Sequence, residues 1–358
     1  MRNYYLWVFV TIMLLGAETL TSAEIIPVWH KVNGEGMPED MIHDIEFLRG
    51  ENQFIMIAGV NERGAIQIRD TQTGELVSSF PLHTLNQFNQ IEITPDSNRC
   101  IITTGGSILL GPTIELRNLS DYSIISKDSL EMDGETKDPQ GNPYQYVFHD
   151  MIVDPVRPLV YVLVEKTAFF GKKDRFYLKV YNYETMQLIK DITPSDFNDN
   201  WPSKAVIQED DNYCIDVSDD GKYLASLSGG ESYLNVWDLQ TMELIHKVKL
   251  YDSSLEDPRC EVQDIEFSSI DKDLIYFSGY FPKKDEPVDS SGVLKFYISN
   301  ESIETIKTDY PYVIYGRFIL FDKEERVLVY DGGSLNFLNL LKQKRELHAY
   351  VSLEYPFR

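Results

Sequence analysis

The chain has 358 residues, with 33 Lys and Arg against 57 Asp and Glu, a formal net charge of −24. At 43% hydrophobic and 25% charged it has enough apolar material for a packed core, which argues against a disordered chain. The acidic excess works against duplex nucleic acid and anionic membrane surfaces, because affinity for both comes from Lys and Arg neutralising phosphates.

Residues 1–23 read as a secretory signal peptide. Arg2 precedes an apolar run from Tyr4 to Ala17, and Thr21-Ser22-Ala23 offers small residues for cleavage. The run is short for a hydrocarbon core of about 30 Å, so no membrane span is expected after cleavage. The mature chain, 24–358, is expected outside the cytoplasm, periplasmic or secreted. Cys100, Cys214 and Cys260 allow at most one internal disulfide. Cys100 and Cys214 fall inside apolar strand patterns, as small buried hydrophobes do.

From residue 43 onward one four-strand pattern recurs. Its segments are 43–48, 53–60, 65–74 and 75–80; then 89–94, 99–106, 113–120 and 122–127; then 149–154, 160–165, 176–186 and 187–192. The clearest copy spans 213–250, with strands at 214–218, 223–228, 233–239 and 243–250 and turns at Asp219-Asp220-Gly221 and Gly229-Gly230. Two more copies cover 263–307 and 317–351. Apolar residues alternate with polar ones in each segment, the signature of a half-buried strand, and the 22 Tyr and 18 Phe suit a pleated surface.

Asp70, Asn118, Asn182, Asp238, Asn300 and Asn339 stand at or near the end of the third strand, where an Asx side chain can bond its own backbone and start a turn. Four-strand units at this spacing are the pattern of a β-propeller, whose blades bury one another's faces. Asn235-Val236-Trp237-Asp238-Leu239 resembles the terminal signature of WD40 repeats. Residues 66–70 offer a second match, and with Thr71-Gln72-Thr73-Gly74-Glu75-Leu76 they resemble the D-x-x-T-G-x-x turn of YVTN-type bacterial propellers. The resemblance spans nearly all of 41–352. It implies an all-β chain whose residues 24–358 form one propeller of six or seven blades, with 25–32 available to help seal the ring. It names no ligand.

With strands labelled a to d outward, the d–a and b–c connections of a blade leave from one face and the a–b and c–d connections from the other. The long connections, 126–146, 191–212, 251–262 and 279–292, are all of the first kind, and they hold 18 acidic and 6 basic residues. Long loops on a rigid scaffold are where binding residues tend to sit, so this acidic face is the expected binding surface. Strand a opens on the same face with a polar ring of His43, Asp44, Gln90, His149, Asp150, Asp264 and Arg317. Glu46, Glu92, Asp216 and Glu266 follow two residues into their strands. Such a ring can hold a hard cation such as Ca²⁺ through oxygen ligands, or it can bond neighbouring blades and channel water. With no calcium-loop motif present, the second reading is favoured.

No G-x-S-x-G, H-E-x-x-H or P-loop motif occurs, and no residue is singled out as catalytic. Phe169 and Phe170, at a b–c hairpin tip, and Trp201, in an acidic loop, are candidate anchors for a protein or peptide partner. Asn118-Leu119-Ser120 and Asn300-Glu301-Ser302 match the glycosylation sequon. The expected function is that of an exported, non-enzymatic binding scaffold, with no cofactor apart from the Ca²⁺ option. The alternative is a cation-dependent hydrolase or lactonase-like propeller using Asp44, Glu46, Asp264 and Glu266.

Overall fold

Period-two alternation puts one face of each segment on an apolar layer, and the Asp, Gly, Ser and Asn clusters between segments reverse the chain. The computed structural model describes residues 42–48, 53–60, 63–70, 76–82, 90–104, 113–129, 144–168, 175–192, 214–228, 233–250, 261–280, 291–306, 318–321, 326–331, 334–339 and 344–350. The signal-peptide reading, Phe169, Phe170, Trp201, Arg317 and Cys260 lie outside the described residues. Every regular element among the described residues is a strand, and the strands form six four-stranded antiparallel sheets. None of them is a helix that could cross a membrane.

The chain divides into two compact units, Met1–Leu85 and Asn86–Arg358. In the first, β1 (Ile42–Phe47), β2 (Gln53–Val60), β3 (Arg63–Asp70) and β4 (Leu76–Leu82) pair in sequence order. The second holds five sheets. They are β5 (Gln90–Ile93), β6 (Arg99–Thr104), β7 (Thr113–Asn118) and β8 (Ile124–Ser129); β9 (Tyr144–Val153), β10 (Leu159–Ala168), β11 (Arg175–Asn182) and β12 (Gln187–Ile192); and β13 (Cys214–Val217), β14 (Tyr223–Ser228), β15 (Tyr233–Asp238) and β16 (Glu243–Lys249). The last two are β17 (Glu261–Phe267), β18 (Leu274–Tyr280), β19 (Ser291–Tyr297) and β20 (Ser302–Ile306); and β21 (Phe318–Phe321), β22 (Arg326–Asp331), β23 (Ser334–Asn339) and β24 (Lys344–Tyr350). The first strands of successive sheets in this unit are neighbours: β5 beside β9, β9 beside β13, β13 beside β17 and β17 beside β21.

The core of the second unit lies between sheets. Ile114 and Leu116 of β7 meet Val160, Val162 and Val164 of β10. Leu178 and Val180 of β11 meet Ile215, Leu224 and Trp237 of the next sheet. Ala225 and Val236 meet Ile265 and Phe267 of β17. Burying a large aliphatic or aromatic side chain is worth about 1.5–3 kcal/mol, so each seam draws stability from both of its walls. Cys100 and Cys214 are buried free thiols. Burial pushes the Cys100 thiol up to about 12, which makes it inert at neutral pH.

The connections explain the Asx residues. Asp238 Oδ1 accepts the N–H groups of Gln240 (2.8 Å) and Thr241 (2.9 Å), and Asn182 Oδ1 accepts those of Glu184 (3.0 Å) and Thr185 (3.1 Å). One of the expected positions differs. Asn118 donates its side-chain amide to Ser123 Oγ (2.7 Å), and Asp121 Oδ1 accepts the Ser123 N–H instead (3.0 Å). Asn300, just past the end of β19, keeps the expected role: its Oδ1 accepts the N–H of Ser302 (2.9 Å). These tight turns each end in a left-handed, non-glycine residue: Tyr122, Met186, Met242 and Glu301, with φ between 54° and 59°. In the turn from β13 to β14 the left-handed residue is Gly221 (φ +65°), and a Cβ there would sit 3.1 Å from Asp154 Oδ1 and 3.3 Å from Val156 Cγ2.

Two stability changes are expected. Asp238→Ala removes the shared acceptor of two backbone amides and should lower the midpoint of urea unfolding. Gly221→Ala adds positive-φ strain to a close contact with Asp154 and should cost about 1 kcal/mol or more. Urea unfolding of the two variants beside the unmodified chain measures both.

Candidate functional site

Strand a of each sheet pairs with strand b on one side only, so every second backbone N–H on its other edge needs an acceptor from elsewhere. In β13 and β17 those amides go to carboxylates. Asp150 Oδ2 on β9 accepts the N–H of Ile215 on β13 (2.8 Å). Asp216 Oδ1 accepts the N–H of Val217 (2.7 Å), and its Oδ2 accepts that of Phe267 on β17 (2.5 Å). Asp264 Oδ1 accepts the N–H of Ile265 (3.0 Å), and Glu266 Oε2 accepts that of Leu320 on β21 (2.9 Å). Upstream, Gln90 on β5 donates its side-chain amide to Asp150 Oδ1 (2.7 Å) and to the His149 carbonyl (3.1 Å). A continuous line of side chains thus joins β5, β9, β13, β17 and β21.

The strand register explains which residues take part. Glu92, Asp216 and Glu266 occupy one equivalent position, and Gln90, Asp150 and Asp264 the position two residues earlier. In the first unit, Asp44 is buried and Glu46 partly buried on β1, each with an interaction of its own. His43 also lies on β1, and His149 is partly buried on β9. Among the described residues, no three His, Cys, Asp or Glu side chains are grouped so as to hold a metal ion.

Electrostatics set Asp216 apart. Burial pushes its carboxyl up to about 8; the Phe267 and Val217 amides pull it down, and the neighbouring Asp264 and Asp150 charges push it up again. Asp216 therefore keeps its proton to a higher pH than an ordinary carboxyl.

Sequence reasoning missed a second polar cluster, on the short turn between β9 and β10. Asp154 Oδ1 accepts the N–H groups of Val156 (2.9 Å) and Arg157 (2.8 Å), and its Oδ2 accepts Arg157 Nε (2.7 Å) and the Tyr161 hydroxyl (3.1 Å). Arg157 Nη2 then donates to the Gly221 carbonyl of the next sheet (2.8 Å). The signal was the D-P-x-R spacing of Asp154 to Arg157, on the side opposite the long connections.

Within the second unit, the a–b and c–d connections span only four to six residues. The long ones run 130–143, 193–213, 250–260 and 307–317 between sheets and 281–290 within one, so each leaves its sheet from the opposite end to the short turns. Together these residues carry 16 acidic and 7 basic side chains. Of the two sequons, Asn300 is exposed and Asn118 is engaged with Ser123.

No protein-family model and no curated protein sequence matches the chain. Solved structures do. Hydrazine synthase of Kuenenia stuttgartiensis is 11% identical, with a TM-score of 0.57 over 87% of this chain and 80% of that one. The Swd1 β-propeller domain of Myceliophteria thermophila is 10% identical, with a TM-score of 0.53 over 88% of each chain. A candidate 6-phosphogluconolactonase of Bacteroides uniformis is 13% identical, with a TM-score of 0.52 over 87% of this chain and 86% of that one. At these identities the likeness is one of fold: an all-β chain of four-stranded antiparallel sheets with propeller-like neighbours.

The Asp216 environment has a pH signature. A folded-state pKa near 8 lies above the ordinary 3.8, so the folded chain holds a proton that the unfolded chain releases. That contribution to stability is complete below about pH 4 and is lost as pH rises through about 8. Asp216→Asn keeps an acceptor oxygen and removes the titration. The stability of this variant relative to the unmodified chain should therefore climb between pH 5 and pH 8, as read by urea unfolding at several pH values. A constant difference across that range contradicts the assignment.

Proposed function

We propose that the chain is an exported, non-enzymatic β-propeller of the WD40/YVTN-like kind. Its residues 24–358 form a ring, six blades of which are the sheets described above, and it binds a protein or peptide through its acidic long-connection face. The observation that carries this reading is the asymmetry of the connections. Short turns occupy one end of every sheet in the second unit, while the long, acidic segments leave from the other. The use of Asp150, Asp216 and Glu266 as acceptors for backbone amides supports a structural rather than a catalytic role for the inner carboxylates. Phe169, Phe170 and Trp201 remain the proposed anchors in the connecting loops.

The likeness to a candidate lactonase favours one second reading, a cation-dependent hydrolase using Asp44, Glu46, Asp264 and Glu266 with Ca²⁺. One set of measurements separates the two. Asp191 belongs to β12 and holds the buried Lys179 (2.7 Å), so the 193–213 connection can be shortened without touching that pair. Shortening it, or replacing Phe169 and Phe170 by Ala, should abolish partner capture and leave the melting temperature nearly unchanged. Capture that persists in both variants contradicts the face assignment. Stoichiometric calcium that is lost on chelation, together with turnover of a lactone, establishes the hydrolase instead.

A further inference from the structure

The last strand of each sheet (β4, β8, β12, β16, β20 or β24) pairs only with the strand before it. Its outer edge therefore carries a row of backbone N–H and C=O groups with no ladder partner. Such an edge accepts a strand from another chain unless it is interrupted or charged. Five of the six are interrupted in the same way. One extra residue breaks the register with the preceding strand: Val77 in β4, Ile125 in β8, Ile189 in β12, Ile245 in β16 and Glu346 in β24. A bulge bends and twists its strand, so the edge groups no longer fall in one line. β4 also holds Pro81, and each of the other four holds at least one Lys.

β20 has neither device. Its five residues pair with β19 without a break, from Tyr297 opposite Ser302 to Val293 opposite Ile306, and Ser-Ile-Glu-Thr-Ile contains no Pro, Lys or Arg. Ser302, Ile303 and Glu304 stand exposed in succession, so both faces of the strand are open to solvent there. The turn that leads into it is held in place: Asn300 Oδ1 accepts the Ser302 N–H (2.9 Å), and Glu301 Oε1 lies 2.7 Å from His246 Nδ1 on β16. An edge fixed in this way is ordered before anything binds to it, which lowers the entropy cost of binding.

Charge selects among occupants. Antiparallel pairing of two β20 strands about their centres sets Glu304 against Glu304, and like charges directly opposite one another are destabilising, so a second copy is a poor fit. On the inner side Glu304 stands opposite Lys295 of β19, whose ammonium lies 5.5 Å from the centre of the Tyr276 ring. The Glu304 carboxylate itself accepts the Tyr297 hydroxyl (3.3 Å). A Lys or Arg on the outer side continues this alternation of charge across the sheet, whereas an acidic residue there breaks it.

We propose that β20 is a strand-acceptor edge. Its occupant is an extended segment of a partner protein that adds as a fifth strand, with β-branched residues on either side of a Lys or Arg facing Glu304. Main-chain hydrogen bonds hold the segment, and the pair at Glu304 sets its register. This edge is separate from the long-connection face, and either can fail without the other.

The test uses the full chain and a fluorescein-labelled peptide, Thr-Val-Thr-Lys-Thr-Val-Thr, read by fluorescence anisotropy. A copy N-methylated at every amide and a copy with Glu in place of Lys serve as comparisons. The first peptide should bind and slow hydrogen exchange in 302–306, the N-methylated copy should not bind, and the Glu copy should bind at least about fivefold more weakly. Ile303→Lys gives β20 the charge that four other outer strands carry and should weaken binding at least about tenfold, while Ile189→Lys on the bulged β12 leaves it unchanged. Both side chains are exposed, so the two variants should melt close to the unmodified chain. Absence of binding to the unmodified chain overturns the proposal. So does equal binding of the N-methylated copy, or binding that Ile303→Lys leaves intact. A dimer in sedimentation velocity that Ile303→Lys disperses assigns the edge to a second copy and overturns the proposed occupant.

Discussion

The open edge of each innermost strand is the constraint on which the second unit depends. A sheet of four antiparallel strands satisfies its interior amides by its own ladder, but the first strand has no ladder partner on its far side. An amide left unpaired in a buried seam costs about 1–3 kcal/mol. In β13 and β17 the N–H groups of Ile215, Val217, Ile265 and Phe267 are all taken by aspartates, and the next strand repeats the device through Glu266 and Leu320. Because Asp150, Asp216 and Glu266 reach across to the following sheet, one set of groups satisfies the edge and fixes the order of the sheets. The apolar seams supply most of the burial; the carboxylates decide how the strands that line them are aligned.

This use of carboxylates accounts for part of the acidity. Burial raises the Asp216 carboxyl, and the Asp264 and Asp150 charges add to that rise. Much of the remainder of the net charge lies on the long connections at one end of the sheets. Acidity in this chain thus has two separate physical roles: backbone acceptor inside, and surface electrostatics outside.

Much of the fold could be read from residue pattern. The period-two segments from 214 to 250 coincide closely with β13 to β16, and Asp238 and Asn182 start their turns through their own side chains. The left-handed turn residue was not legible. Gly74 stands four residues after Asp70, the spacing that Met242, Met186 and Tyr122 keep after Asp238, Asn182 and Asn118, but those three are not glycine. Burial of Tyr122 and Met186 outweighs a backbone penalty of about 1–2 kcal/mol, and packing of that kind leaves no local mark in sequence. The polar ring was visible by position, whereas its partners were not, since they are backbone amides and carry no side-chain identity. The Asp154, Arg157 and Tyr161 cluster was not legible because it closes on the Gly221 carbonyl, a backbone group of another sheet with no side-chain identity.

Amide hydrogen exchange resolved to single residues tests the central claim most directly. If the aspartates are the edge acceptors, the amides of Ile215, Phe267 and Leu320 exchange slowly in the unmodified chain despite lying outside any ladder. Asp216→Ala should then speed exchange at Phe267 and Val217, leaving ladder amides of β14 and β15 protected. Fast exchange at those three amides in the unmodified chain, or unchanged protection of Phe267 in the variant, contradicts the account.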